Sequence, residues 1–492
     1  MHRIHFIAAL LLMVTSSLFS ACSVQSPTTP PPGSTVPLPA ATAPLAAPTS
    51  TAAVVPLPAL TLRAGDFYFS RDGQPAFLFS RNLAGYQVSH FDQLLIWTAS
   101  GSSSFVRLHL DDFGMGYLPG GGVDENWARQ WDRVFSLAET NGIYVLPVFS
   151  AWYDWNAGGG YSTWQNNPLN QAKGGPVADP LELFETDSST QKLWLDWMET
   201  LVGRWTDRRN ILAWEVFSEV NLASKPSETN GIAFVNAAAA RIRAADPAGR
   251  PVTASIADTG TWPNFYRKTN IDFINLHPYP TSAQLDRILV SEVRKSLAKY
   301  NRPLLIGESG LNAETPDSQG GKITVAANAP LGIRHAIWAG IVSGAMNGRA
   351  LWWEDGVGIY FSGLGFPWMS RYRDAELAAA RFVAGVDFSG FKPLTSTSSP
   401  TVWGAAVGDG QMILGWYRDA SCEPPDWKLK DGISGAKVTV SAPGTATNWR
   451  VDFYDVADGT KILGTIFVTR QGSTLVIPLP DFKDAIAFKA GS

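Results

Sequence analysis

The sequence predicts an α/β protein: a (β/α)8 barrel of the TIM type followed by a small all-β sandwich. Two observations point to the barrel and a third to the sandwich. Between about residues 62 and 390, short apolar runs alternate with amphipathic helical stretches, the pattern of repeated βα units. Eight such runs occur, at 76–80, 104–109, 143–149, 211–217, 252–255, 272–276, 304–307 and 350–353, the number that closes a barrel. After Phe388 the texture changes to Val, Thr, Trp and Tyr runs broken by Gly, Pro and Asp, as at 401–406, 411–417, 436–442, 449–454, 464–469 and 474–477, which read as antiparallel strands. An open doubly wound sheet is the alternative for the first part. Against it, the turn from Arg81 to Gly85 lacks the G-x-G-x-x-G spacing of a dinucleotide site.

From the N-terminus, His2 and Arg3 precede an apolar run from Phe6 to Phe19 that ends in Ser20-Ala21-Cys22, the layout of an export signal and too short to span a bilayer. Small residues directly before a cysteine resemble a bacterial lipobox. Residues 1–21 are therefore expected to be a lipoprotein signal peptide, with Cys22 lipidated on a secreted or cell-surface protein whose membrane contact is that lipid anchor. Phe19, an unusual residue at the third position before the cysteine, leaves ordinary secretion as the alternative. Residues 22–58 are Pro, Thr, Ala and Ser with almost no charge, a composition that cannot bury a core and suits a tether. The barrel is expected over 59–390 and the sandwich over 391–492. Helices are expected at 125–141, 191–205, 232–245, 282–300 and 332–343, with Asn141-Gly142 and Asp246-Pro247 as stops before the next strand.

The chain has 492 residues, 45% hydrophobic and 17% charged, enough for a large core and more than one small domain. A formal net charge of -4 leaves no basic surplus for phosphates, which argues against a nucleic-acid partner. With Cys22 lipidated, Cys422 has no intrachain partner, and no C-x-x-C pair offers a metal or redox centre. H-E-x-x-H, G-x-S-x-G and Walker patterns are absent, so metalloprotease, serine hydrolase and P-loop readings lack support.

Carboxylates carry the chemistry. The run from Ile211 to Asn221 is apolar enough to be a buried strand, so Glu219 at its end emerges at the face where barrel enzymes react. Glu215, four residues earlier, lies deeper and is assigned a structural hydrogen-bonding role. A second glutamate, Glu308, ends the run beginning at Pro303, and Gly307 before it permits close backbone approach. Two such glutamates from different strands can face one another across a barrel mouth.

These residues resemble glycoside hydrolase family 5 and the wider clan A of retaining glycosidases, of cellulase or mannanase type, over essentially all of residues 62–390. In that family the acid/base glutamate ends strand four in W-E-x-x-N-E-P and the nucleophile ends strand seven. Trp214-Glu215 through Glu219-Val220 and Ile306-Gly307-Glu308 stand in those places. Residues Pro75 to Asn82 resemble the first-strand motif. Arg107 resembles the second-strand arginine that keeps the nucleophile ionised, and His277-Pro278-Tyr279 the strand-six His-x-Tyr. Trp353 resembles the strand-eight tryptophan that floors the cleavage subsite, with Trp352 the other register. Ser218 stands where the family has an asparagine that binds the sugar 2-hydroxyl, and a serine needs a water to reach as far. Val220 replaces the usual proline.

The resemblance implies an O-glycosyl hydrolase, an endo-β-glycanase on β-mannan or β-1,4-glucan, that needs no cofactor and no metal and acts as a monomer. A retaining mechanism asks for one ionised and one protonated carboxyl about 5 to 5.5 Å apart. Arg107 and Tyr279 would favour the charge on Glu308, while burial and the neighbouring negative charge would keep the proton on Glu219. An exo-acting β-glycosidase and a surface glycan-binding lipoprotein without turnover are the alternatives.

Tryptophans fit sugar binding where loops leave strands: Trp152, with Trp155, Trp262, Trp352 and Trp353 beside it. Trp127, Trp131, Trp194 and Trp197, at helical spacing, belong to the core. His109 lies on the Arg107 face of its strand and stays outside the catalytic set. Asp111, Asp112, Glu354 and Asp355 are read either as sugar-hydroxyl partners or as solvated loop acids. The sandwich binds carbohydrate through Trp403, Trp416, Tyr417, Trp427 and Trp449, or braces the barrel, with bracing preferred.

Overall fold

The computed structural model describes residues 57–83, 90–158, 162–279, 284–310, 329–348 and 369–492. The export signal, Cys22, most of the tether, the expected strand at 350–353 and the residues Trp352, Trp353, Glu354 and Asp355 lie outside them. Among the described residues no helix is long and apolar enough to cross a membrane.

A small antiparallel ladder opens the fold, β1 (Leu60–Thr61), β2 (Ser70–Arg71) and β3 (Gln74–Pro75). Asp72 and Gly73, both at positive φ (52° and 79°), make the tight turn between β2 and β3, the pair that such a turn requires. Five parallel strands follow in one sheet, in chain order: β4 (Ser80–Leu83), β5 (Phe105–His109), β6 (Tyr144–Val148), β7 (Trp214–Glu215) and β8 (Val252–Thr253). All five residues of β5 and of β6 are buried, as expected of strands covered on both faces. Two more strands, β9 (Ile274–Leu276) and β10 (Leu304–Ile306), pair in parallel. A parallel bridge between Ser255 and Asn275 joins them to β8. Beyond β10, the Met346 amide donates to the Leu304 carbonyl (2.9 Å). Leu78 donates to the Met346 carbonyl (3.2 Å), and Gly348 donates to the Leu78 carbonyl (2.7 Å).

Eight helices are described: α1 (Phe91–Ser100), α2 (Glu125–Thr140), α3 (Ser189–Trp205), α4 (Glu228–Ala245), α5 (Phe265–Lys268), α6 (Leu285–Tyr300), α7 (Ala329–Ile341) and α8 (Met369–Val383). Local chemistry sets several starts. Asp124, Ser188 and Ser227 cap α2, α3 and α4 by accepting backbone N–H groups of the first turn. Helix α2 buries Trp127, Trp131, Val134, Phe135 and Ala138, a stripe at helical spacing that packs with Trp194, Trp197 and Trp205 of α3 in one core. The four helical tryptophans are thus core, as expected.

The first parallel strand differs from the expectation at 76–80: its ladder runs from Ser80 to Leu83, with one isolated bridge at Leu78. The polar pair Arg81 and Asn82 is admitted because both side chains find buried partners. Arg81 pairs with Glu376 of α8 and stacks 3.7 Å from the Trp97 ring centroid, and Asn82 meets Arg107. Helix α4 starts four residues before the expected position, at the Ser227 cap, and α1 and α8 are helices the periodicity did not mark.

The rest is all-β, with strands β11 (Lys392–Leu394), β12 (Ser396–Ser398), β13 (Val402–Gly408), β14 (Met412–Asp419), β15 (Lys437–Ser441), β16 (Asn448–Asp455), β17 (Ile462–Thr469), β18 (Thr474–Pro478) and β19 (Ala485–Gly491). A six-stranded sheet, in the order β11-β13-β14-β19-β16-β17, shares an apolar cluster with a three-stranded sheet, β12-β15-β18. The opposite face of the larger sheet packs Leu414, Trp416 and Ala487 against α7 and α8. Trp416, Tyr417, Trp427 and Trp449 are buried and form no platform: Trp416 and Trp427 pack in the cluster shared with α7 and α8, Tyr417 and Trp449 in the sandwich interior. Trp403 lies beneath the guanidinium groups of Arg287 and Arg418, 4.8 and 5.2 Å from its ring centroid. Arg418 donates to Asp286 of α6 (2.5 Å), Arg287 donates to Glu423 (2.7 Å), and Arg294 donates to the carbonyls of Leu394 and Ala406 (3.0 and 2.9 Å).

Candidate active site

Arg107, on β5, is the hub. Its side chain is 1% exposed and its charge is met by two carboxylates from different strands. Nε and Nη2 donate to the two oxygens of Glu215, each at 2.7 Å, the bidentate geometry that fixes a guanidinium plane. Nη1 donates to Glu308 Oε1 at 2.6 Å and also lies 3.0 Å from Asn82 Oδ1 and 2.8 Å from His109 Nε2. Burial works against the charge and the two glutamates outweigh it, holding Arg107 above its ordinary range. The structural role expected of Glu215 is therefore specific: it grips Arg107, and Ser255 Oγ donates to it at 3.2 Å.

Glu308 follows β10, reached through Gly307. A Cβ at Gly307 would come within 1.9 Å of Asn275 Oδ1, so only glycine lets this strand end lie against its neighbour. Both carboxylate oxygens are engaged. Oε1 accepts from Arg107, with Ser218 Oγ at 3.5 Å, and Oε2 accepts from the Tyr279 hydroxyl at 2.9 Å. Burial opposes ionisation here, but His277, Arg107 and His109 outweigh it and hold Glu308 well below the usual carboxylate range.

Glu219 sits where the β7 segment turns out of the sheet. Its backbone is left-handed (φ 57°, ψ 53°), a conformation costing about 1 kcal/mol or more for a residue with a Cβ. The turn is held by its own amide, which donates to Ser255 Oγ at 3.0 Å, and by Val220, whose amide donates to the Ser255 carbonyl at 3.1 Å. Glu219 Oε1 lies 3.0 Å from His277 Nδ1, and His277 Nε2 is buried with no partner among the described residues. One oxygen of Glu219, one of Glu308 and a nitrogen of His277 all lie within 4.8 Å of one another. Such a trio could also ligate a cation. Arg107 and Tyr279 already donate to both oxygens of Glu308, which competes with that use.

The structure thus brings together Glu219, Glu308, Arg107, Ser218, His277 and Tyr279. Ser218 does not stand idle at the asparagine position: its Oγ accepts from Arg107 Nη2 at 2.9 Å. Trp152 is partly buried at the same rim, its amide donating to the Ser218 carbonyl at 3.1 Å. Trp155 and Trp262, grouped with it from sequence, are instead core, packed on Trp164 and Phe265.

His109, set aside in the sequence, belongs to the site. His109 Nε2 lies 2.8 Å from Arg107 Nη1 and 3.7 Å from Glu308 Oε1, and its Nδ1 lies 3.0 Å from Tyr153 Oη. Asp111, 3.8 Å from His109 Nδ1, is nearly buried rather than a solvated loop acid. Burial and Asp111 together push the carboxyl of Asp154 well above its usual range. Ser255 was missed entirely. The one available signal was its position at the end of an apolar run, as for Glu219 and Glu308.

No protein-family model and no curated protein matches the chain in sequence. Solved structures do match in shape. A glycoside hydrolase superposes with a TM-score of 0.59 at 11% identity, covering 88% of this chain and 97% of its own. A glycoside hydrolase family 5 protein from Bacteroides vulgatus superposes with a TM-score of 0.57 at 11% identity, covering 88% and 93%. The chain has the fold of the family 5 glycoside hydrolases.

Proposed function

We propose that this chain is a retaining glycoside hydrolase in which Glu308 is the nucleophile and Glu219 the general acid and base. The observation that carries the reading is the approach of their carboxylate oxygens to within 4.8 Å, with opposite surroundings on the two sides. Inverting enzymes leave about 6.5 to 9.5 Å for a water between the carboxyls, and retaining ones about 5 to 5.5 Å. Arg107 and Tyr279 stabilise a carboxylate at Glu308, the state from which it can attack. Glu219, 13% exposed and partnered by His277, has the access a proton donor to a leaving group needs.

In the first step a Glu308 oxygen attacks the anomeric carbon as the glycosidic C–O bond breaks. Glu219 gives its proton to the departing oxygen. Water then attacks the same carbon, Glu219 takes a proton from it, and Glu308 is released with its charge restored.

The closed (β/α)8 barrel belongs to this proposal. The hydrogen bonds linking Leu304, Met346 and Leu78 support closure beyond β10, which would bring both glutamates to one mouth. The substrate we infer is a β-linked polysaccharide, β-mannan or β-1,4-glucan, cut internally. That choice rests on the motif resemblance at Glu219, Glu308, His277 and Tyr279. Export with a lipid on Cys22 suits a polymer met outside the cell.

The test is product release from mannan, glucan and xylan by the mature protein and by Glu219→Gln and Glu308→Gln variants, with the anomer of the first product read by proton NMR. Loss of at least about a thousand-fold in both variants, with retained configuration from the parent, is the expected result. Inverted product would overturn the mechanism. Binding of a polymer without any release would favour a glycan-binding protein instead.

A further inference from the structure

Strands β13, β14 and β19 of the larger C-terminal sheet pack against α7 and α8, and β16 meets α8 at its end through Tyr454. On the same face lies an open recess of about 490 Å³ lined by Met412, Arg450, Asp452, Tyr454, Phe467 and Lys489 among others. The strand register explains its lining. Phe467, Arg450, Gly491 and Met412 form one row across the sheet, and Thr465, Asp452 and Lys489 the next. Tyr454 closes one end against Phe382 of α8, with ring centroids 5.3 Å apart, and Lys489 Nζ lies within 5.0 and 5.3 Å of those two rings.

The lining combines an aromatic face with planar polar groups. Phe467 is 78% exposed, so its ring face is open to a ligand. Beside it Arg450 Nε donates to Asp452 Oδ1 at 3.0 Å, and Thr465 Oγ1 donates to the same oxygen at 2.6 Å. A pyranose has one apolar C–H face and a rim of hydroxyls that both donate and accept. An exposed ring next to a guanidinium and a carboxylate meets each of those needs, and the volume falls within the range of small-ligand sites. Pairing of β17 with a second copy is disfavoured by the register shift at Phe453 and Tyr454, which disrupts the neighbouring ladder.

We infer that this recess is a second glycan site, remote from the two glutamates, in which Phe467 stacks on a sugar ring of a polysaccharide while Arg450 and Asp452 bond its hydroxyls. The inference rests on the proposal that the chain acts on such a polymer.

The experiment separates the two. The full chain and its Phe467→Ala, Phe467→Tyr and Arg450→Ala variants are run on native gels cast with galactomannan, hydroxyethylcellulose, xylan or a β-1,3-glucan, and assayed in parallel on aryl β-glycosides. The expected result is a retardation by one polymer that weakens about tenfold in Phe467→Ala and is restored in Phe467→Tyr, with aryl glycoside turnover unchanged. Retardation that ignores Phe467, or none by any of the four polymers, overturns the inference. So does a Phe467→Ala variant that only converts a dimer to a monomer by light scattering. If neither an aryl glycoside nor any of the four polymers is cut yet retardation depends on Phe467, the hydrolase reading falls and this site stands.

Discussion

Arg107 and Arg418 are built alike. Each side chain is 1% exposed, each bridges acids from separate elements, and each is held above its ordinary range by carboxylates that outweigh burial. The difference lies in the charge around them. Arg418 and Arg287 together face Asp286 and Glu423, two cations against two acids, and the cluster closes on itself at the junction of sheet and helices. Arg107 faces Glu215 and Glu308, with His109 and His277 as the other basic groups beside Glu308, and a third acid, Glu219, approaches. Neutral clusters brace. A buried surplus of negative charge costs stability and is kept where a carboxylate has work to do.

The comparison breaks most visibly on replacing each arginine by methionine. In Arg107→Met, Glu308 loses its strongest donor and its proton affinity rises, so product release should fall by about a thousand-fold or more, and the acid limb of kcat/KM should move to higher pH. Arg418→Met should leave kcat/KM of the folded protein within about threefold while lowering stability by about 3 kcal/mol, read by urea unfolding, because buried Asp286 loses its cation and half-buried Glu423 keeps only Arg287. Equal losses of activity in the two variants would show that both clusters are structural.

Glu215→Gln sharpens the same point from the other side. The amide oxygen can accept from only one of the two Arg107 nitrogens, since the amide nitrogen is itself a donor, and the neutral group no longer offsets the Arg107 charge, so more of that charge falls on Glu308. The nucleophile should become less basic, the acid limb should move to lower pH, opposite to Arg107→Met, and kcat should fall about ten- to a hundred-fold with KM little changed. A parallel shift of the two profiles would mean that Glu215 acts on folding alone.

How legible the site was follows from which contacts are local. Glu219 and Glu308 stand at the ends of apolar runs, and strand ends are where a barrel exposes its acids, so periodicity alone marks them. Arg107, His277 and Tyr279 were found because they lie in short patterns with a fixed order. His109 was visible as a residue on the Arg107 face and Asn82 as the end of a first-strand motif, but the partners of Asn82 and Ser255 lie 25 and 40 residues away in other strands, and the sequence does not mark that pairing. The tryptophans mislead for the reverse reason. Trp155 and Trp262 sit in loop-like segments, yet those segments fold back on the core, whereas Phe467 gave no signal because one exposed side of an edge strand looks like any alternating strand.

The smallest effect concerns the junction itself. Asp484 meets Arg334 and lies 2.7 Å from His335 Nε2, and although burial opposes its charge these partners hold it below the usual aspartate range. A lowered folded-state pKa contributes stability that is complete above the unfolded value near 3.9 and is lost as pH falls through the folded value. Asp484→Asn should therefore cost about 1 to 2 kcal/mol at pH 7 and progressively less below pH 4, where the parent also loses the charge. Thermal unfolding of both proteins from pH 7 to pH 3 measures the gap. Convergence at acid pH would make the junction electrostatic like the Arg418 cluster beside it, and a constant gap would assign it to hydrogen-bond geometry that the amide cannot reproduce.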